Sequence, residues 1–293
     1  MRTPLRSLAA AAAAGVALAV TLTACSSGTG TAPEPADGGP GGVTVSHVHG
    51  LGIDPSDEHL YVATHEGVVA VAADGAARRV SDRADYMGFT VAGPGRFLGS
   101  GHPAPGGDGP ANRGLIESTD SGRTWQTRSL AGTTDFHALE YAHDTVYGYD
   151  STNGVLRVSA DGTTWDTRTE LAALDIAVSP EDPERVLATT ESGVARSTDG
   201  GRTFGAGAAP VLGFVSWPRE DALYGLDQTG GLHRSTDGGT NWTRSGTVPG
   251  GAPQALTAVD PDRVLAATQD GVYESRDGGR TFTERLPISG ASH

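Results

Sequence analysis

S-T-D-G-G-R-T-F, at residues 197–204, decides how this chain folds, because it recurs. Related copies begin at Ser118 (S-T-D-S-G-R-T-W), Ser159 (S-A-D-G-T-T-W), Ser235 (S-T-D-G-G-T-N-W) and Ser275 (S-R-D-G-G-R-T-F). Successive copies start 41, 38, 38 and 40 residues apart. An even period of this size, filled with short apolar runs and no helical pattern, marks four-stranded propeller blades.

Working outward from the copies, the same order of strands repeats. Residues 255–259, 264–268, 271–275 and 281–285 are four short runs separated by Gly, Pro or Asp, and they make a sixth blade. Residues 174–178, 186–190, 194–197 and 203–204 give the fourth; the fifth spans 211–248 and the third 136–168. Two blades precede the first good copy. In the first, the motif has decayed to Ala73-Asp74-Gly75. The second carries an insertion at 102–112 of Gly, Pro, Asp and Ala around a single His, which suits a lid or a docking loop. The expectation is an all-β, six-bladed β-propeller over residues 43–288, with the repeated turn joining strands three and four of each blade.

The ends read differently. Residues 1–25 have a positive start at Arg2 and Arg6, an apolar Ala-rich stretch and then Leu22-Thr23-Ala24-Cys25. The close resembles a bacterial lipobox, which implies an export signal and lipidation at Cys25, the only cysteine. Residues 26–42 are rich in Gly, Pro, Ser and Thr and read as a flexible tether, and 289–293 as a tail. The chain is thus expected outside the cytoplasm, lipid-anchored to a bacterial cell membrane. With Cys25 lipidated no disulfide is possible, so stability must come from packing and ring closure.

The formal charge is −14, every basic residue is an arginine, and removing Arg2 and Arg6 with the signal takes the charge to −16. Such a surface argues against nucleic acid as a partner.

The repeated motif resembles the Asp box, or BNR repeat, of sialidases, sortilin-type receptors and photosystem-assembly propellers. The chain also resembles bacterial lipoproteins that carry a glycosyl-hydrolase label on that basis. In the turn, Asp accepts backbone N–H groups, Gly takes a positive φ, and the final Trp or Phe packs inward. Asp120, Asp161, Asp199, Asp237 and Asp277 are therefore read as structural. Two copies are expected to be distorted, one by Ser121 in a Gly position and one by the missing residue after Ser159.

Placing the sequence on a propeller frame yields the functional clue. Strand one runs along the central channel and strand two returns, so the start of the first and the end of the second share one face. His47 and His49 start strand one of blade one, and His65 ends its strand two. Asp85, Tyr86 and Met87 start blade two, and His102 ends its second strand; Asp135 and His137 start blade three. Five of the nine histidines and Met87 thereby gather at one channel mouth, with the Asp-box turns on the opposite face. Equivalent positions in blades four to six carry no histidine. His47 and His49, two apart, share a strand face and can converge on one ion.

Imidazole with thioether suits copper, and imidazole with carboxylate suits zinc. The metal site expected is His47, His49, His65, His102, His137 and Met87, with Asp85 or Asp135 as further ligands. A small polar ligand is the other occupant such a mouth suits. His59, His143, His233 and His293 are read as solvated.

Two further functions stay open. A glycosidase needs paired carboxylates, and Glu66, Asp85 and Tyr86 approach the histidine mouth, where Tyr86 with Glu66 would resemble the Tyr/Glu couple of sialidases. The Arg-Ile-Pro motif usual before the first box of sialidases is missing, and the arginines are expected in outer strands or turns. The third reading is a platform that holds an envelope protein partner, as the resembling assembly propellers imply.

Overall fold

The computed structural model describes residues 43–288. The expected signal, Cys25, the tether and the tail lie outside them. Among the described residues every regular element is a strand, and no helix is long and apolar enough to cross a membrane.

Six antiparallel sheets follow one another along the chain. Blade one holds β1 (Val48–Ile53), β2 (Leu60–Thr64), β3 (Gly67–Val71) and β4 (Ala77–Arg79). Blade two holds β5 (Asp85–Gly93), β6 (Arg96–His102), β7 (Leu115–Ser118) and β8 (Gln126–Ser129). Blade three comprises β9 (Phe136–Ala142), β10 (Thr145–Asp150), β11 (Val155–Ser159) and β12 (Asp166–Glu170). Blade four has only β13 (Ile176–Val178), β14 (Val186–Thr190) and β15 (Gly193–Ser197). Blade five runs through β16 (Phe214–Arg219), β17 (Ala222–Leu226), β18 (Gly231–Ser235) and β19 (Thr243–Thr247). Blade six is β20 (Pro253–Ala258), β21 (Val264–Thr268), β22 (Gly271–Ser275) and β23 (Thr283–Pro287).

The fourth strand expected at 203–204 is a correction: it does not form. Thr203 is consumed by the turn, its hydroxyl donating to Asp199 Oδ2 at 2.6 Å. The chain then meets β15 irregularly, Gly205 N donating to Arg196 O at 2.9 Å and Val194 bridging Ala208, and Pro210, which has no N–H, ends the pairing. The same use of motif residues in the turn delays β23 by two residues relative to the run expected at 281–285.

Each turn is a clasp built on one serine and one aspartate. In the copy at Ser275, Ser275 Oγ donates to Asp277 Oδ1 at 2.8 Å and accepts Gly279 N at 2.8 Å. Asp277 Oδ1 also accepts the N–H groups of Arg280 and Thr281 at 3.0 and 2.9 Å. Neither irregular copy loses this clasp. Ser121 takes φ +58°, where the regular copies place glycine, and its hydroxyl donates to Asp54 Oδ2 at 2.8 Å. The short copy keeps Ser159 with Asp161, but Trp165 Nε1 donates to Ser129 Oγ at 2.9 Å instead of to its own turn. In the regular pattern Trp125 and Trp242 bond the carbonyls of Gly122 and Gly239.

The first strand of every blade lines a central channel of about 530 Å³. Apolar clusters between neighbouring blades supply the core, such as Tyr61, Tyr86, Phe89, Phe97 and Ile116 between blades one and two. The ring closes without a strand shared between its ends among the described residues. Val45 packs instead into a cluster joining blade one to Leu265, Val272 and Leu286 of blade six. Thr257 Oγ1 donates to Leu51 O at 2.9 Å, and Val48 N donates to Gln254 Oε1 at 2.9 Å across the same seam.

Candidate metal centre at the channel mouth

Two of the histidines, His49 and His137, reach the mouth through irregularities in the innermost strands. In blade one Val48 pairs with Thr64 and Gly50 with Ala63, so His49 is the extra residue of a bulge. In blade three Asp150 faces Phe136 and Tyr149 faces Ala138, which leaves His137 extra. Tyr86 and Met87 oppose Gly101 alone in blade two, and Gln254 is extra in blade six. A bulge bends its strand and re-aims the side chain it carries. Four of the six inner strands therefore turn a side chain toward the mouth by one device.

His47, His49 and His65 each offer one nitrogen, and these atoms lie within 4.8 Å of one another. Their ring centroids stand 4.4 to 5.1 Å apart. His49 Nε2 and His65 Nδ1 are separated by 3.3 Å. Nitrogens bound to one tetrahedral ion at ~2.0–2.1 Å would stand about 3.3 Å apart. Asp85 lies beside two of the three, with Oδ2 at 3.0 Å from His65 Nδ1 and Oδ1 at 3.7 Å from His49 Nε2. Oδ1 is buried and accepts no hydrogen bond. Burial, and then the His65 and His47 rings, hold the His49 imidazole down to about 3, so it is neutral at physiological pH with a lone pair to give.

The five expected histidines divide into two groups. His102 Nε2 and His137 Nε2 lie 3.4 and 2.8 Å from Asp135 Oδ2, apart from the triad. His47, His49, Met87 and His137 share the wall of one cavity of about 560 Å³ with Phe214 and Gln254.

Tyr86 and Glu66 take other partners. The Tyr86 ring is fully buried between blades one and two, its hydroxyl donates to Asp82 Oδ1 at 2.8 Å, and burial raises its pKa. The Arg113 guanidinium lies 5.2 Å over its ring. Glu66 is exposed and pairs with Arg79 and Arg83 at 3.6 and 3.7 Å. Two of the histidines read as solvated are held instead: His143 Nε2 bonds Ser179 O at 2.8 Å, and His233 Nε2 meets Asp227 Oδ2 at 2.9 Å.

Sequence reasoning missed three residues. Gln254 is one, and nothing in its local pattern announces a bulge. The others are Glu140 and Asp175, which line the channel. Burial, and then Asp175, push Glu140 up to about 8, and burial pushes Asp175 up to about 7. A carboxyl breaking the apolar run of β9 was the available signal for Glu140.

No family model and no curated protein matches the chain. Among solved structures it is similar to a protein named as a candidate gluconolactonase, at 12% identity and TM-score 0.62 over 84% of this chain and 91% of the other. It is also similar to virginiamycin B lyase from Staphylococcus aureus, determined as a catalytically inactive variant with quinupristin. That match has 11% identity and TM-score 0.56, over 83% of this chain and 85% of the other. A chain in a nidogen/laminin complex gives 11% identity and TM-score 0.60 over 79% and 96%. At these identities the likeness shows the fold: the chain is a six-bladed β-propeller.

Proposed function

We propose that this chain is an extracytoplasmic, lipid-anchored propeller that binds a transition-metal ion, zinc or copper, at the histidine mouth and does not turn over a glycan. One observation carries the metal reading. Three imidazole nitrogens lie within 4.8 Å of one another, and beside two of them stands the Asp85 carboxylate, whose buried Oδ1 has no hydrogen-bond partner. Imidazoles with a carboxylate suit Zn(II) and Cu(II), and Met87 on the cavity wall adds a thioether for copper. With Asp85 as a fourth ligand beside the three histidines, four positions would be filled, which favours holding the ion over exposing it to a substrate.

The non-catalytic reading is supported by the partners of Tyr86 and Glu66, which tie the tyrosine to Asp82 and the glutamate to two arginines. Asp-box resemblance of the turns is consistent with their structural role, since all five aspartates are engaged in clasps. Anchoring rests on Cys25 and its preceding residues. Full-length protein incubated with Zn(II) or Cu(II) and freed of excess should retain metal and melt at a higher temperature. His65→Ala should lose the triad's ion and its share of the shift; a wild-type chain that retains neither metal ends the proposal. Cys25→Ala should release the protein from the membrane fraction.

A further inference from the structure

A carboxyl without a partner lines the central channel. Glu140 reaches the channel from β9, and no hydrogen bond or ion pair joins it to another described residue. Asp175 is near enough for its charge to act on Glu140. It ties blade five to blade four, Oδ2 accepting Val215 N and Oδ1 accepting Ile176 N, each at 2.9 Å. A carboxylate has about four acceptor sites, so Asp175 keeps two more. The channel lining contains no Arg or Lys, and of its two histidines His49 is neutral while His137 bonds Asp135. The remaining acid of the lining, Glu58, is exposed and pairs with Arg263 at 3.2 Å. Burial raises both Glu140 and Asp175 because nothing positive in the wall offsets it. The rest of the wall is largely apolar, with Leu51, Phe89, Leu139 and Leu256 contributed by four different blades. Its volume of about 530 Å³ suits a small organic molecule.

We propose that the channel binds a protonated primary amine with an apolar body, its ammonium held by Glu140 and Asp175 and its hydrocarbon against the apolar wall. An ammonium donates three hydrogen bonds and accepts none, which answers a carboxylate that the protein supplies with no donor. A metal ion suits this wall less. Calcium takes about six to eight oxygens and magnesium a near-ideal octahedron, whereas two carboxyls here stand among hydrocarbon. The proposal does not rest on the metal reading of the mouth: Glu140 and Asp175 belong to blades three and four, and the histidine triad to blade one.

Titration of full-length protein with n-hexylamine, which is protonated at about pH 7.5, tests this, with n-hexanol as the uncharged counterpart. Prior treatment with a chelator removes any metal that the amine could ligate. Hexylamine should bind saturably in isothermal titration calorimetry and raise the melting temperature, and hexanol at the same concentration should do neither. Glu140→Gln keeps the side-chain shape and should weaken amine binding about 10–100-fold, while His65→Ala should bind the amine as wild type does. Far-UV circular dichroism checks that each variant is folded. No saturable binding of hexylamine, equal affinity in Glu140→Gln, or hexanol binding as well as the amine would each overturn the site. So would a rise in melting temperature with Ca(II) or Mg(II) as large as the amine's, if Glu140→Gln abolishes both. A wild-type chain that retains no zinc yet binds hexylamine through Glu140 upholds this site and ends only the metal proposal.

Discussion

Asp85 Oδ2 stands 3.0 Å from His65 Nδ1, while its other oxygen, buried and unpartnered, faces His49 Nε2 at 3.7 Å. The carboxylate therefore sits against both imidazoles, as a ligand or as the anion that orients them. Either role makes it matter for the ion more than for the fold. Asp85→Asn should lower Zn(II) affinity at the triad by roughly 10–100-fold. Competition against a chromophoric chelator measures this, and the melting temperature of the metal-free protein should change little.

A second expectation concerns acid. Asp237 and Asp277 are both held down to about 2, chiefly by backbone N–H bonds from Asn241 and Thr281 respectively. An unfolded chain has these carboxyls near 3.8. A depressed folded-state pKa means stability that is present above the unfolded value and lost as pH falls through the folded one. Asp277→Ala should thus lower the melting temperature by a few degrees at pH 7, and the gap to wild type should close between about pH 4 and pH 2. Thermal melts across that range read it directly; a gap that persists at pH 2 would mean that the clasp works through packing alone.

How much was legible follows from which physics was local. A serine, an aspartate and a positive-φ glycine lie within five residues, so the turn copies announce themselves and the blades can be counted from them. The histidine mouth was legible because strand alternation and blade topology place strand starts on one face. What stayed hidden depends on contacts between distant residues. Ser121 tolerates a glycine position because Asp54, 67 residues away, accepts its hydroxyl. The split of five histidines into two groups depends on bulges at His49 and His137. Blade four lacks a regular last strand because the turn consumes Thr203 and the chain up to Pro210 meets β15 only at Gly205 and Ala208, a balance that run lengths alone do not reveal.

The channel carboxyls give a third expectation, opposite in sign to the second. Glu140 is raised to about 8 and Asp175 to about 7, each mainly by burial. The folded protein keeps protons there that the unfolded chain releases near pH 4, so these groups subtract stability as pH rises toward 8. Glu140→Gln, which keeps the shape and removes the charge, should raise the melting temperature by a few degrees at pH 8.5 and leave it unchanged at pH 4. Equal effects at both pH values would show that the carboxyl is ionised or solvated throughout.

Blades two and three meet at the mouth through a glycine. A Cβ built on Gly88 would stand 2.3 Å from Phe136 O, a backbone atom that cannot swing aside. Gly88 follows Met87, and Phe136 precedes His137, so the same contact sets the spacing of two cavity-lining side chains. Phe136 N is further tied to blade two by its bond to Ser100 Oγ at 2.9 Å. Gly88→Ala must push β9 away from β5. Overpacking of this kind costs about 1–3 kcal/mol, a drop of several degrees in the melting temperature. The displacement moves blade three and leaves His47, His49 and His65 on blade one, so zinc affinity at the triad should change little while the melting temperature falls. Thermal melts and zinc titrations of Gly88→Ala compare the two effects. Loss of zinc binding together with stability would place the strain in the ring as a whole and not at this seam.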